Sequence, residues 1–95
     1  MTPKIQAITL QILPALKKAG VKRSSIFGSF ARGEETNKSD LDLIVELPHG
    51  STLLDLSGLK INLEKSINRK VDVITYDYIH PRMKAHIEKD KIDIL

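Results

Sequence analysis

Gly28-Ser29-Phe30-Ala31-Arg32-Gly33, followed after the polar stretch 34–38 by Ser39-Asp40-Leu41-Asp42-Leu43, decides how this chain is read. Gly28 and Gly33 have the spacing of the glycines in a phosphate-binding loop, yet Glu34-Glu35 stand where that loop needs Lys-Ser or Lys-Thr. Without the lysine nothing positive meets the β- and γ-phosphates, which excludes a Walker-type NTPase. No Gly-x-Gly-x-x-Gly occurs, so a dinucleotide-binding fold has no support. What remains is a Gly-Ser pair at a strand end, opening into a short helical turn. That geometry offers backbone N–H groups and a hydroxyl to an anion, and glycine lets a phosphate approach the backbone.

The carboxylates follow. On a strand, residues two apart share a face, so Asp40 and Asp42 can converge while Leu41, Leu43 and Val45 turn to the core. Two hard oxygen ligands at that spacing suit Mg²⁺, which takes one or two carboxylates plus substrate phosphates. Asp72 lies among Val71, Val73 and Ile74, where a lone charge facing a core would be expensive. If its strand neighbours the Asp40–Asp42 strand, Asp72 joins the same face. Three carboxylates around phosphate-bound Mg²⁺ make a two-metal phosphoryl- or nucleotidyl-transfer site, with Asp72 best placed to help deprotonate an attacking hydroxyl.

Outward from this motif the elements alternate. Residues 3–19 read as a helix, with Thr2 as N-cap, Pro3 at the first helical position and Gly20 just past the end. Ile5, Ile8, Ile12, Leu13 and Leu16 form its apolar stripe, and Pro14 predicts a kink or a register break. A short strand over 21–27 precedes Gly28, residues 33–39 form a loop, and 41–47 form a strand closed by Pro48-His49-Gly50. Ser51 or Thr52 caps a helix to about residue 67, with Leu53, Leu56, Leu59, Leu63 and Ile67 on one side. Leu53, Leu54, Leu56 and Leu59 are expected in the core, with part of that stripe open to a partner. Asn68-Arg69 turns into a β-branched strand over 70–75; residues 80–90 are helical and 92–95 form a short strand. This order predicts an α/β (α+β) domain, 1–95, with a small mixed β-sheet and helices packed on it. His49, His80 and His86 lack metal-ligand spacing and read as surface or partly buried, and Tyr76 and Tyr78 as packing at a sheet end.

Composition sets the class. Ninety-five residues, 41% hydrophobic and 28% charged, match one ordinary globular domain. Without cysteine there is no disulfide framework, thiolate nucleophile or thiolate zinc site. No apolar run approaches a membrane span and no secretory signal is evident, so a cytoplasmic protein is expected. The net charge of +3 is uneven: residues 1–23 carry five bases and no acid, whereas 24–48 are net negative. A basic start can attract nucleic acid, but a solvated helix face is the expected reading, and direct nucleic-acid binding is not.

Gly28-Ser29, ten residues, then Asp40-Leu41-Asp42, with Ala31-Arg32-Gly33 and Ser39 in place, resembles the minimal nucleotidyltransferases of the DNA polymerase β superfamily. The resemblance runs from about Val21 to Thr75. It implies the polymerase β-like palm fold, Gly28 and Ser29 on the triphosphate, and Asp40, Asp42 and Asp72 as metal and catalytic carboxylates for two Mg²⁺ ions. It implies, more weakly, that Arg32 contacts phosphate or holds the loop. It further implies an antitoxin that transfers AMP from ATP to a tyrosine of a HEPN-domain ribonuclease toxin. As 95 residues leave no room for a second domain to grip the acceptor, that partner is expected to supply the acceptor site. The alternatives are a catalytically idle antitoxin that acts by binding, and a nucleic-acid-binding accessory protein.

Overall fold

The computed structural model describes residues 2–95. Helix α1, Pro3–Lys18, is capped by Thr2, whose hydroxyl accepts from the Ile5 N–H. It ends in a Schellman turn: Gly20, at φ +74°, donates to Lys17 O, and Val21 N–H reaches Leu16 O, both at 3.0 Å. Ile5, Ile8, Ile12 and Leu16 are buried, as is Thr9, whose hydroxyl donates to Ile5 O. The register break expected at Pro14 does not occur. Pro14 and Leu10, whose carbonyl loses its helical partner, both lie on the solvent face, where water can satisfy the freed acceptor.

Strand β1, Arg23–Phe27, runs directly into the short helix α2, Gly28–Arg32. Strand β2, Leu41–Glu46, is followed by helix α3, Leu53–Ile67, which starts in a capping box between Thr52 and Asp55. Strand β3, Val71–Thr75, then a single 3₁₀ turn at Tyr76–Tyr78 that the sequence reading missed, lead to helix α4, Pro81–Asp90, and the two-residue strand β4, Ile92–Asp93. The sheet order is β3-β2-β1-β4, with β2 and β3 parallel and β1 antiparallel to both its neighbours. Parallel β2 and β3 are joined by α3, as a crossover demands.

One face of the sheet packs on α1 and α3: Leu41, Leu43, Val45, Ile26 and Val71 meet Ile12, Leu16, Leu59 and Leu63. On the other face a smaller cluster of Phe27, Ile44 and Ile87 fastens α4. In α3 the expected stripe needs correction, because Leu53 and Leu54 are 77% and 83% exposed and burial begins at Leu59. The first turn, fixed by its capping box, projects past the core. Tyr76 is half-buried and bears the Arg23 guanidinium 3.9 Å from its ring centre, as packing at a sheet end should, but Tyr78 is 80% exposed. His49, His80 and His86 are exposed, and His80 caps α4 by accepting the Arg82 N–H on Nδ1.

Candidate active site

The register of β2 decides the site. Asp42 stands opposite Phe27 of β1 on one side and Asp72 of β3 on the other. In a parallel pair, side chains in register share a face, so Asp42 and Asp72 emerge together on the face away from α1 and α3. Gly28, one residue beyond Phe27, has φ +74°, and a Cβ there would lie 3.1 Å from Asp42 Cγ and overlap the carboxylate. Glycine is required both by that φ and by the close approach. Helix α2 begins without a side-chain cap, which leaves its first N–H groups for an outside acceptor.

Asp42 is pushed up to about 6, first by its own burial and then by the negative charges of Asp72 and Asp40, with the Arg32 charge opposing. The structure thus brings Asp42 and Asp72 together directly. Asp40, just before β2, is coupled to them by charge but lines a separate hollow of about 350 Å³ with Ser39, Asn68 and Arg69. Among the described residues no three His, Cys, Asp or Glu side chains stand as a ready-made metal cage. The donors nevertheless fit Mg²⁺: hard carboxylate oxygens whose mutual repulsion, visible in the raised Asp42, a divalent cation would relieve.

Arg32 is held rather than free. Its Nε lies 3.1 Å from Glu34 Oε2 and its Nη1 3.7 Å from Asp90 Oδ2, and the Glu34 hydrogen bond chiefly raises its already high pKa. Residues outside the sequence motif complete the site. Arg69 Nη1 donates to Thr36 O (3.2 Å) and Ser39 O (2.7 Å), while its guanidinium lies 5.0 Å from the centre of the Phe30 ring in α2. The Ser39 hydroxyl in turn accepts the Thr36 N–H at 2.8 Å. One side chain therefore ties the loop that delivers Asp40 to the helix that carries Ser29. The sequence held Arg69 only as half of a turn.

Helix α4 roofs the carboxylate face and divides it into two lobes that meet at Asp42. One, about 340 Å³, is lined by Gly28, Arg32, His86 and Asp90; the other, about 380 Å³, by Asp72, Val73, Tyr78 and Ile79. Phe27, Asp42, Met83 and Ile87 border both. A larger hollow of about 520 Å³ opens at the opposite end of β2 and β3, among Lys22, Leu53 and Tyr76, away from these carboxylates.

Known proteins share this fold. The family profile for the nucleotidyltransferase domain matches residues 9–94. A Methanocaldococcus jannaschii relative, provisionally named a protein adenylyltransferase, is 48% identical over 91 residues, spanning 96% of this chain and 98% of its own length. The protein adenylyltransferase MntA of Thermococcus cleftensis is 35% identical over 68 residues, 66% of this chain and 69% of its own. A solved structure provisionally described as a minimal nucleotidyltransferase superposes with TM-score 0.80 at 35% identity, covering 94% of this chain and 91% of the other. The fold also recurs, at TM-score 0.74 and 14% identity, in a Shewanella oneidensis complex of a tri-AMPylated HEPN toxin with its MNT antitoxin; 95% of this chain and 71% of that one are covered. The chain belongs to the nucleotidyltransferase domain family, and within it to the minimal nucleotidyltransferases.

Proposed function

We propose that this transferase moves AMP from ATP onto a HEPN-domain toxin, on tyrosine, and thereby acts as the antitoxin of a cytoplasmic pair. The observation that carries the reading is Asp42, set in register with Asp72 and against the Cβ-free face of Gly28. The names of the M. jannaschii and T. cleftensis relatives support adenylyl transfer to protein. The toxin partner is supported by the S. oneidensis complex, whose HEPN toxin is described as AMPylated.

In this reading Gly28 and Ser29 receive the triphosphate through backbone N–H groups at the start of α2. Asp42 and Asp40 hold Mg²⁺, with Asp72 completing the set. When bound, Mg²⁺ neutralises phosphate charge and polarises the α-phosphate. Arg32, kept at the rim by Glu34 and Asp90, adds positive charge where pyrophosphate accumulates. Asp72 accepts the proton of the acceptor hydroxyl as that oxygen attacks the α-phosphorus. Arg69 keeps the Asp40 loop in place.

Intact-mass spectrometry of a purified HEPN-domain protein from the same cell, incubated with this chain, ATP and Mg²⁺, tests the proposal. A mass gain of one or more AMP groups, mapped to tyrosine and missing with Asp42→Asn, supports it. An unmodified partner that is still neutralised replaces transfer with simple masking.

A further inference from the structure

Loop 34–39 runs between Gly28-Ser29 and the carboxylates of Asp40 and Asp42, so whatever fixes the loop fixes the spacing of the two halves of the site. Arg69 fastens it through Thr36 O and Ser39 O. Glu35 gives it a second, separate fastening. Its side chain is only 14% exposed, and Oε2 is buried with no hydrogen-bond partner among the described residues. Lys4 Nζ, in the first turn of α1, lies 3.5 Å from Oε1. The same ammonium stands 5.6 Å from the centre of the Phe30 ring, over which the Arg69 guanidinium also lies. Phe30 is buried and directly follows Ser29 in α2. Helix α1, the loop and the turn before β3 thus converge on one side chain of the helix that carries Ser29.

We infer that Glu35, through its ion pair with Lys4, is a positioning residue for the nucleotide and metal site, holding the loop so that Asp40 keeps its spacing from Gly28 and Ser29. This rests on the reading of those residues as an Mg²⁺–ATP site and deepens it. A fully exposed pair would contribute almost nothing. A carboxylate as enclosed as Glu35 is different, because burying it is costly unless a cation meets it, and removing the cation strands the charge. The two partners are unequal in this respect. Lys4, with its side chain 49% exposed, can turn to water when unpaired, whereas Glu35 reaches water only by drawing the loop outward. The rest of the loop does little to prevent that. Thr36, Asn37 and Lys38 are exposed, and the bonds from the Thr36 N–H to Ser39 Oγ and from the Lys38 N–H to Thr36 Oγ1 shape the turn without docking it. Loss of Lys4 should therefore disturb the site more than loss of both charges together.

The test is nuclear magnetic resonance on the isotope-labelled full chain, comparing wild type, Lys4→Met and Lys4→Met/Glu35→Gln. Amide exchange is read first in EDTA. Lys4→Met should speed exchange at Thr36 and Lys38 about tenfold or more, as for a broken, partly buried pair, while Ile26 and Leu43 in the sheet keep their protection. Mg²⁺ is then titrated with a non-hydrolysable ATP analogue, following Gly28 and Ser29. The Mg²⁺ concentration at half-response should rise about tenfold in Lys4→Met, as for loss of a group that orients a metal ligand. The double variant, which removes the stranded charge and keeps the side chain's shape, should recover most of both effects. Four outcomes overturn the inference: unchanged exchange in the loop, a loosened loop with an unchanged Mg²⁺ response, equal loss of protection in the sheet, or a double variant as impaired as Lys4→Met. A wild-type chain whose Gly28 and Ser29 signals ignore Mg²⁺ and the analogue instead removes the Mg²⁺–ATP reading, and exchange at Thr36 and Lys38 still decides whether the pair holds the loop.

Discussion

Replacing Asp42 with asparagine should make the metal-free protein more stable while abolishing transfer. Burial and the charges of Asp72 and Asp40 push this carboxyl from its ordinary 3.8 up to about 6. Its folded-state pKa is raised, so the folded protein prefers the protonated form. The group therefore costs nothing below about pH 4, and its penalty grows as pH rises through about 6. A displacement of that size corresponds to at most ~3 kcal/mol at pH 8. Asp42 is only half-buried, and solvent screening reduces this to ~1–2 kcal/mol. For a domain of this length that raises Tm by ~5–10 °C. Thermal unfolding of wild type and Asp42→Asn in EDTA at pH 8 measures it. The difference should shrink toward zero near pH 4, and Mg²⁺ should stabilise the wild type but not the variant. A variant less stable at pH 8, or a gain independent of pH, would refute the electrostatic reasoning.

Two further substitutions probe the geometry. Gly28→Ala places a side chain at φ +74° against Asp42; unfolding should show a loss of ~1–2 kcal/mol. Because the Asp42 carboxylate must turn aside, adenylyl transfer should fall by about 100-fold or more. Arg69→Lys keeps the charge but not the fork that spans Thr36 O and Ser39 O. The Mg²⁺ concentration for half-maximal activity should rise about tenfold, as for loss of a group that orients a metal ligand. In an Asp40→Asn background the same change should add little, whereas additive losses would mean that Arg69 does not act through Asp40.

How far the sequence reached follows from what each feature depends on. The strands around Asp42 were legible because alternation, Leu41, Leu43 and Val45 inward, is a local property of the chain. The caps at Thr2, Gly20 and Thr52 were legible for the same reason. That Asp72 joins Asp42 could be stated only conditionally, since strand adjacency is a non-local fact that register alone supplies. Arg69 escaped notice because its partners are backbone carbonyls thirty or more positions away, which leave no residue-type signature. Leu53 and Leu54 were misread because periodicity marks a helix face without saying where the sheet beneath it ends. Helix α4 was found, but not that Met83 and His86 would roof the carboxylates, since where a helix docks on a sheet is, like strand adjacency, a non-local fact.

The central claim is AMP transfer at the Asp40–Asp42–Asp72 face. The most direct measurement supplies ATP labelled on the α-phosphate, and in parallel on the γ-phosphate, with Mg²⁺ and lysate of the source cell. The control is Asp40→Asn/Asp42→Asn. The account predicts α-label on a protein band with wild type only, with no γ-label following. No label transfer, from a wild-type chain that still binds and silences its partner as the double variant does, would contradict it.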